Sequence, residues 1–366
     1  MALVSIASGK KTGDRIPGKL TELLADQETR TLFYVLGSRA DSPDGGFYMC
    51  ESNVAMLGLR PGEVLRDDLV IPVYPCQVTI PYVAINGVHD GPEAVVTAGI
   101  HGCEYSSIEA VIRLARDISA LELFGSLILI PIVDVTAFYA RSMYINPLDG
   151  KNLFRVFPGS ARGTVSERIA YTLINELVAS ADYYIDLHGG DMIESLMPFT
   201  VFSITGNRAV DQQSEALARS FGVDLVCTAD ISGSTYISAA LLGRPAIVSE
   251  AGGNGMLEED AVNVHYYGVK SALNHLGILS EGAQSRRKSD SELRHIRSLR
   301  SSERGLFYGD LDIGDYVQEG QRIGEMRDHY GDKISDMLSP ASGLVIYVVT
   351  SLATNLGDPL IGIAEK

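Results

Sequence analysis

An α/β fold with a mixed, mainly parallel sheet flanked by helices, followed by a small all-β domain, is what this 366-residue sequence predicts. Three observations predict it. Between about residues 77 and 280, strand-length apolar runs alternate with segments of helical periodicity, the pattern of a parallel sheet with crossover helices. "SLILIPIVD" (126–134) is apolar almost throughout, as a strand covered on both faces must be. From Gly305 onward the helical periodicity disappears, and short runs separated by Gly-Asp turns take over.

Residues 1–70 mix strand-like runs ("TLFYVLG" at 31–37, "GGFYMC" at 45–50) with polar loops and read as an N-terminal extension. The α/β domain follows over 71–280. Its first strands are "VTIPYVAING" (78–87) and "EAVVTAGI" (93–100), β-branched runs bounded by Gly, Asp and Pro. Ile108, Val111, Ile112, Ala115 and Ile118 then recur at helical spacing over 104–118. "TVSERIAYTLINELVAS" (164–180) reads as a helix opened by Thr164 and Glu167 at capping-box spacing. "DYYIDLHGG" (182–190) is a strand with a Gly-rich exit. Helices are expected at 208–220 and 235–242, a strand at 244–255 ("RPAIVSEAGGNG") and a helix at 258–276. Residues 281–302 are polar and rich in basic side chains, the composition of a linker. Residues 303–366 form the C-terminal β domain. Its phrases "GDYVQEGQRIG" and "SPASGLV" resemble a biotinyl/lipoyl-type barrel-sandwich, with no carrier lysine at the usual hairpin.

The formal net charge of −16 repels phosphate backbones, so neither nucleic acid nor an anionic membrane is expected as a partner. Cys50, Cys76, Cys103 and Cys227 form no CxxC pair and no disulfide framework, which suits a reducing compartment. The N-terminal apolar run is too short for a secretory signal. "LILIPIV" (127–133) is far short of the ~20 residues of a membrane span. The expected location is cytoplasmic.

The candidate chemistry gathers at strand ends. His101 and Glu104 lie in "GIHGCEYSS" (99–107), where Gly102 removes bulk between them. Imidazole and carboxylate are zinc-ligand types. A core histidine beside a helix-start glutamate would produce the same spacing. His188, in "DLHGGD", has Asp186 and Asp191 nearby, either of which could orient its ring. Glu250, in "SEAGG", is a carboxylate at the end of an apolar strand, where burial raises a pKa toward the range of a general base. Each alone has a plain structural reading. Together they matter, because all sit just past predicted strands at one sheet edge, where α/β sheets bind ligands. Arg155, in the loop "NPLDGKNLFRVFPG" (146–159), could bind a substrate carboxylate. No GxSxG, P-loop or post-strand GxGxxG offers a competing chemistry.

Taken in order, "GIHGCE", "PIVDVTAFYAR", "DGKNLFRVFPG", "DLHGGD" and "SEAGG" resemble the succinylglutamate desuccinylase/aspartoacylase family of the zinc carboxypeptidase superfamily. The resemblance spans about residues 77–280 and implies a zinc-carboxypeptidase-like fold. It implies one Zn2+ per chain on His101, Glu104 and His188, with Glu250 as general base. Arg141 would support the oxyanion, and Arg155 and Asn152 would bind substrate. The implied reaction is hydrolysis of an amide in a small N-acyl amino acid that carries a carboxylate. Homo-oligomerisation stays open. Three positions depart from the family: Phe154 replaces an Asn before Arg155, Met143 or Tyr144 stands where an oxyanion arginine is usual, and Cys103 replaces an Asp or Asn. These departures keep two alternatives in view, a carboxypeptidase for short peptides and a catalytically impaired ligand-binding relative.

Overall fold

The structure is a computed structural model and describes residues 58–73, 76–280 and 289–366. The strand-like runs expected at 31–37 and 45–50 lie outside the described residues. The chain opens with an antiparallel hairpin of β1 (Val64–Val73) and β2 (Cys76–Asn86). Next come β3 (His89–Ala98), α1 (Tyr105–Asp117), β4 (Phe124–Ile130) and α2 (Val135–Ala140). Helix α3 (Val165–Tyr171) continues through a π-helical stretch, Thr172–Leu177, and a 3-10 turn, Val178–Ser180. Then follow β5 (Tyr183–Gly190), β6 (Glu194–Leu196), β7 (Phe199–Phe202), α4 (Arg208–Ser220) and β8 (Leu225–Thr228). Helix α5 (Thr235–Leu241), β9 (Ala246–Gly253) and α6 (Glu259–His275) complete this region.

Eight short strands follow: β10 (Arg294–Arg300), β11 (Gly305–Gly309), β12 (Tyr316–Val317), β13 (Arg322–Arg327), β14 (Lys333–Leu338), β15 (Gly343–Val349), β16 (Ala353–Thr354) and β17 (Pro359–Glu365). The fold is therefore mixed α/β with a C-terminal β domain. One large sheet runs in the order β1-β2-β4-β3-β5-β9-β7-β8-β10-β17-β15-β12, with β6 paired to β15. Its centre is parallel: β4 with β3, β3 with β5, and β5 with β9. The flanks are largely antiparallel, because the opening hairpin and the C-terminal strands join the same sheet. A second sheet, β14-β13-β11-β16, lies within the C-terminal region.

The stretch expected as a linker differs from that reading. Residues 281–288 lie outside the described residues, but 294–300 form β10. This strand pairs parallel to β8 and antiparallel to β17. Its side chains are polar on both faces, so apolar periodicity carries no signal for it, and backbone pairing on both edges makes it a strand.

The core explains why the central elements form. The apolar stripe of α1, Ile108, Val111, Leu114 and Ala115, belongs to one buried cluster with Ala94, Val96 and Ala98 of β3 and with Val262 and Val269 of α6. Fully burying one such aliphatic side chain contributes ~1.5–3 kcal/mol. The C-terminal region has a second core that includes Phe307, Ile323, Met326, Val345 and Ile363. No helix of the described residues is long and apolar enough to cross a membrane.

Candidate active site and metal centre

Strand β3 ends at Ala98 and α1 begins at Tyr105, so His101 and Glu104 occupy the turn between them. A Cβ on Gly102 would lie 2.2 Å from the backbone nitrogen of Phe138, and only glycine lets this turn nest against α2. Gly102→Ala is expected to shift the backbone that carries both side chains. A destabilisation of ~1–3 kcal/mol, the usual cost of overpacking, should appear as a lower denaturation midpoint. An unchanged midpoint would show that the turn has slack.

Glu104 is the N-cap residue of α1, yet its side chain makes no capping hydrogen bond. Its carboxylate turns instead toward two imidazoles. Oε1 lies 2.7 Å from His101 Nδ1, and Oε2 lies 3.0 Å from His188 Nδ1, at the end of β5. All three residues are buried, and their potential ligand atoms fall within 4.8 Å of one another. Oε2 is buried, with the His188 ring nitrogen as the partner beside it. A buried carboxylate oxygen costs free energy unless a donor or a cation satisfies it.

The outer ring nitrogens are held as well. His188 Nε2 lies 3.0 Å from Asp186 Oδ2, and Asp186 in turn accepts from Thr235 Oγ1 (2.6 Å) and Thr97 Oγ1 (2.7 Å). His101 Nε2 lies 3.1 Å from Asn152 Oδ1. Both rings thus turn Nδ1 toward Glu104 and Nε2 toward a fixed acceptor, the arrangement that orients metal-bound histidines. Of the two acids near His188, Asp186 takes this role. Asp191 accepts from the backbone N–H groups of Tyr144 and Met192 instead. Asp186→Asn should weaken metal binding by about 10–100-fold, measured by competition with a chelator. Unchanged affinity would mean that the ring needs no such support.

Charges within the cluster lean on one another. Burial disfavours the Glu104 carboxylate, but the charges of His188 and His101 outweigh it and hold the group below the usual carboxylate range. Burial likewise disfavours charge on His188, but Asp186 and Glu104 overcome this and raise its pKa well above the ordinary imidazole value. The buried acids therefore draw positive charge onto the imidazoles, and a cation would supply that charge directly.

The three residues line a cavity of about 450 Å³, with walls that include Tyr144, Phe154, Arg155, Glu194, Glu250 and Arg300. Glu250 sits on β9 in register with His188 on β5, and the two are neighbours at the same sheet edge. It is half-buried. Burial first, and then the charges of Glu104 and Glu194, push its carboxyl well above the ordinary range, against the opposing charge of His188. Arg155 is exposed into the cavity. Arg141 is not brought to the site. It is exposed, caps α2 in the left-handed conformation (φ 53°), and is not part of the cavity wall.

Phe154 packs against both imidazoles, with ring centroids 4.6 Å from His188 and 5.9 Å from His101. Where the family places an amide, this chain has an apolar wall. Two lining groups escaped sequence reasoning as site candidates. Tyr144 has a buried hydroxyl beside Glu194, and burial pushes the Glu194 carboxyl up to about 7 against the pull of that hydroxyl. Glu194 lies on a three-residue strand too short to leave a pattern.

The donor set fits a zinc ion. Two imidazoles and a carboxylate are a zinc-ligand combination, all three are buried with their ligand atoms within 4.8 Å of one another, and the cavity leaves room for a further ligand. Residues 90–276, more than half of the chain, match the model of the succinylglutamate desuccinylase/aspartoacylase catalytic domain. The chain belongs to the succinylglutamate desuccinylase/aspartoacylase family. Within this family it is similar to the N-alpha-acetyl-L-2,4-diaminobutyric acid deacetylase of Halomonas elongata, 27% identical over 75% of this chain and 83% of the relative. It is also similar to the product-bound ectoine utilization protein EutE (DoeB) of Ruegeria pomeroyi, with a TM-score of 0.74 and 25% identity over 83% of this chain and 95% of that one. A succinylglutamate desuccinylase/aspartoacylase from Rhodobacter sphaeroides shares the fold, with a TM-score of 0.73 and 23% identity over 83% of this chain and 96% of that one.

Proposed function

We propose that this protein is a zinc-dependent deacylase that hydrolyses the amide bond of a small N-acyl amino acid. The observation that carries the reading is the convergence of His101 Nδ1, His188 Nδ1 and the buried Glu104 carboxylate at a cavity that Glu250 also lines. Bound there by His101, Glu104 and His188, zinc would supply a Lewis acid that makes a water nucleophilic near neutral pH and polarises the scissile carbonyl. Glu250 takes the proton of the attacking water and delivers it to the leaving amine. Asp186 and Asn152 keep the two imidazoles in place. Tyr144, whose hydroxyl lies beside Glu194 in the cavity wall, is the donor that the cavity offers to the developing oxyanion in place of Arg141. Arg155 grips a carboxylate of the substrate, and the products are a carboxylic acid and a free amine.

The cavity volume suits a small molecule, and residues of β10 and β15 help to wall it, which favours an N-acyl amino acid over a peptide. The relative from Halomonas elongata makes N-acetyl-L-2,4-diaminobutyric acid the first compound to try. The test is a hydrolysis screen of N-acetyl and N-succinyl amino acids with zinc-loaded protein, scored by release of free amine, with dipeptides alongside. Release from at least one N-acyl amino acid is expected. Release from dipeptides alone would favour a carboxypeptidase instead.

A further inference from the structure

Strand β10 contributes to the cavity in a way that neither the family motifs nor the reaction requires. Along it, Ile296, Ser298 and Arg300 line the cavity. Leu299 between them packs against the C-terminal core. This is the two-residue alternation of a strand with one face on a site. The pairing with β17 is irregular between Leu299 and Arg300, the kind of local bulge that re-aims a side chain. The Arg300 guanidinium is tethered on one side, where Nη1 donates to the carbonyl of Gly357 at 2.9 Å.

Arg155 reaches the same cavity from the opposite part of the chain. Its guanidinium lies 5.4 Å from the Phe154 ring centroid. Both arginines are exposed to the cavity, and among the described residues neither forms an ion pair with a carboxylate. They feel each other. Burial, followed by the Arg300 charge, lowers the Arg155 pKa, and both positive charges act on the Tyr347 hydroxyl in the same wall. Two like charges facing one cavity repel; Glu194 in the same wall offsets part of this on Arg155, and an anion held between the two guanidinium groups would turn the rest into attraction.

We propose that Arg300 and Arg155 together form a two-armed clamp for the substrate carboxylate, with Arg300 taking the place of the amide that Phe154 removes. The inference rests on the deacylase reading for the identity of the anion. It assigns specificity to a strand of the C-terminal half and narrows the substrate to compounds whose carboxylate is distinct from the scissile acyl group.

The test compares Arg300→Gln, Arg155→Gln and the double variant on the best N-acetyl amino acid of the screen and on its carboxamide. Arg300→Gln should raise KM for the acid by roughly 10–100-fold, the value of a charge-assisted hydrogen bond, with kcat little changed. The carboxamide should be nearly indifferent to the substitution. The double variant should lose less than the product of the two single losses, since both arms hold one group. Arg300→Lys should recover part of the loss. Equal effects on acid and carboxamide would overturn the clamp while leaving the deacylase reading intact. Should the wild type hydrolyse none of the compounds, calorimetry with succinate and zinc-loaded protein decides the clamp separately. Roughly 10–100-fold weaker binding by Arg300→Gln supports it, and equal binding or none overturns it.

Discussion

Glu250→Gln is expected to lower kcat by ~10²–10⁴-fold while KM and zinc content stay near their wild-type values. The size follows from the usual contribution of a positioned general base. The amide has the shape of the carboxylate but cannot accept the proton of the attacking water. Zinc should stay, because Glu250 is outside the His101, Glu104 and His188 group. A fall in kcat without a rise in KM marks an interaction made in the transition state. The fold should not suffer. Burial and the charges of Glu104 and Glu194 already disfavour the Glu250 carboxylate, so a neutral side chain relieves the site, and the melting temperature should hold or rise. Steady-state kinetics on the best substrate of the screen, with elemental analysis of the same sample, provide the check. Turnover within tenfold of the wild type would remove Glu250 from the mechanism.

His188→Ala carries the second large effect. His188 completes the proposed ligand set across the sheet, since Glu104 and His101 come from the β3–α1 turn and His188 from β5. Removing it leaves two donors from one short turn. It also takes from Asp186 its imidazole partner, leaving the two threonine donors in place. Losing an outer-sphere partner of a ligand costs about 10–100-fold in metal affinity, so losing the ligand itself should cost more than ~100-fold. Activity should fall below detection with it. Any stabilisation that zinc confers on the wild type, seen as a rise in melting temperature on adding metal, should vanish in the variant.

Much of this site was legible in the sequence, and the reasons are physical. Buried strands need apolar runs, so the ends of β3, β5 and β9 could be located, and with them His101, His188 and Glu250. Helix α4 covers Arg208–Ser220 as its periodicity indicated. What escaped had no such signature. Strand β10 presents Arg297 and Arg300 on opposite sides, so its alternation is not one of polar against apolar, and Arg300 was hidden in a supposed linker. The three-residue β6 hid Glu194. Arg141 caps α2 at a positive φ and stands outside the cavity wall, a placement that spacing along a sequence does not report. The choice between Asp186 and Asp191 needed the third dimension. On a strand the i+2 neighbour lies on the same face, which puts Asp186 beside His188, whereas Asp191 lies beyond the strand end at a positive φ.

The central claim is that two imidazoles and one carboxylate in this chain hold a single divalent ion. The most direct measurement is zinc stoichiometry by elemental analysis after chelator stripping, reloading and exhaustive dialysis, for the wild type and His188→Ala in parallel. The account predicts one zinc per wild-type chain and almost none in the variant. A wild type that retains no zinc, or a variant that retains as much as the wild type, would contradict it.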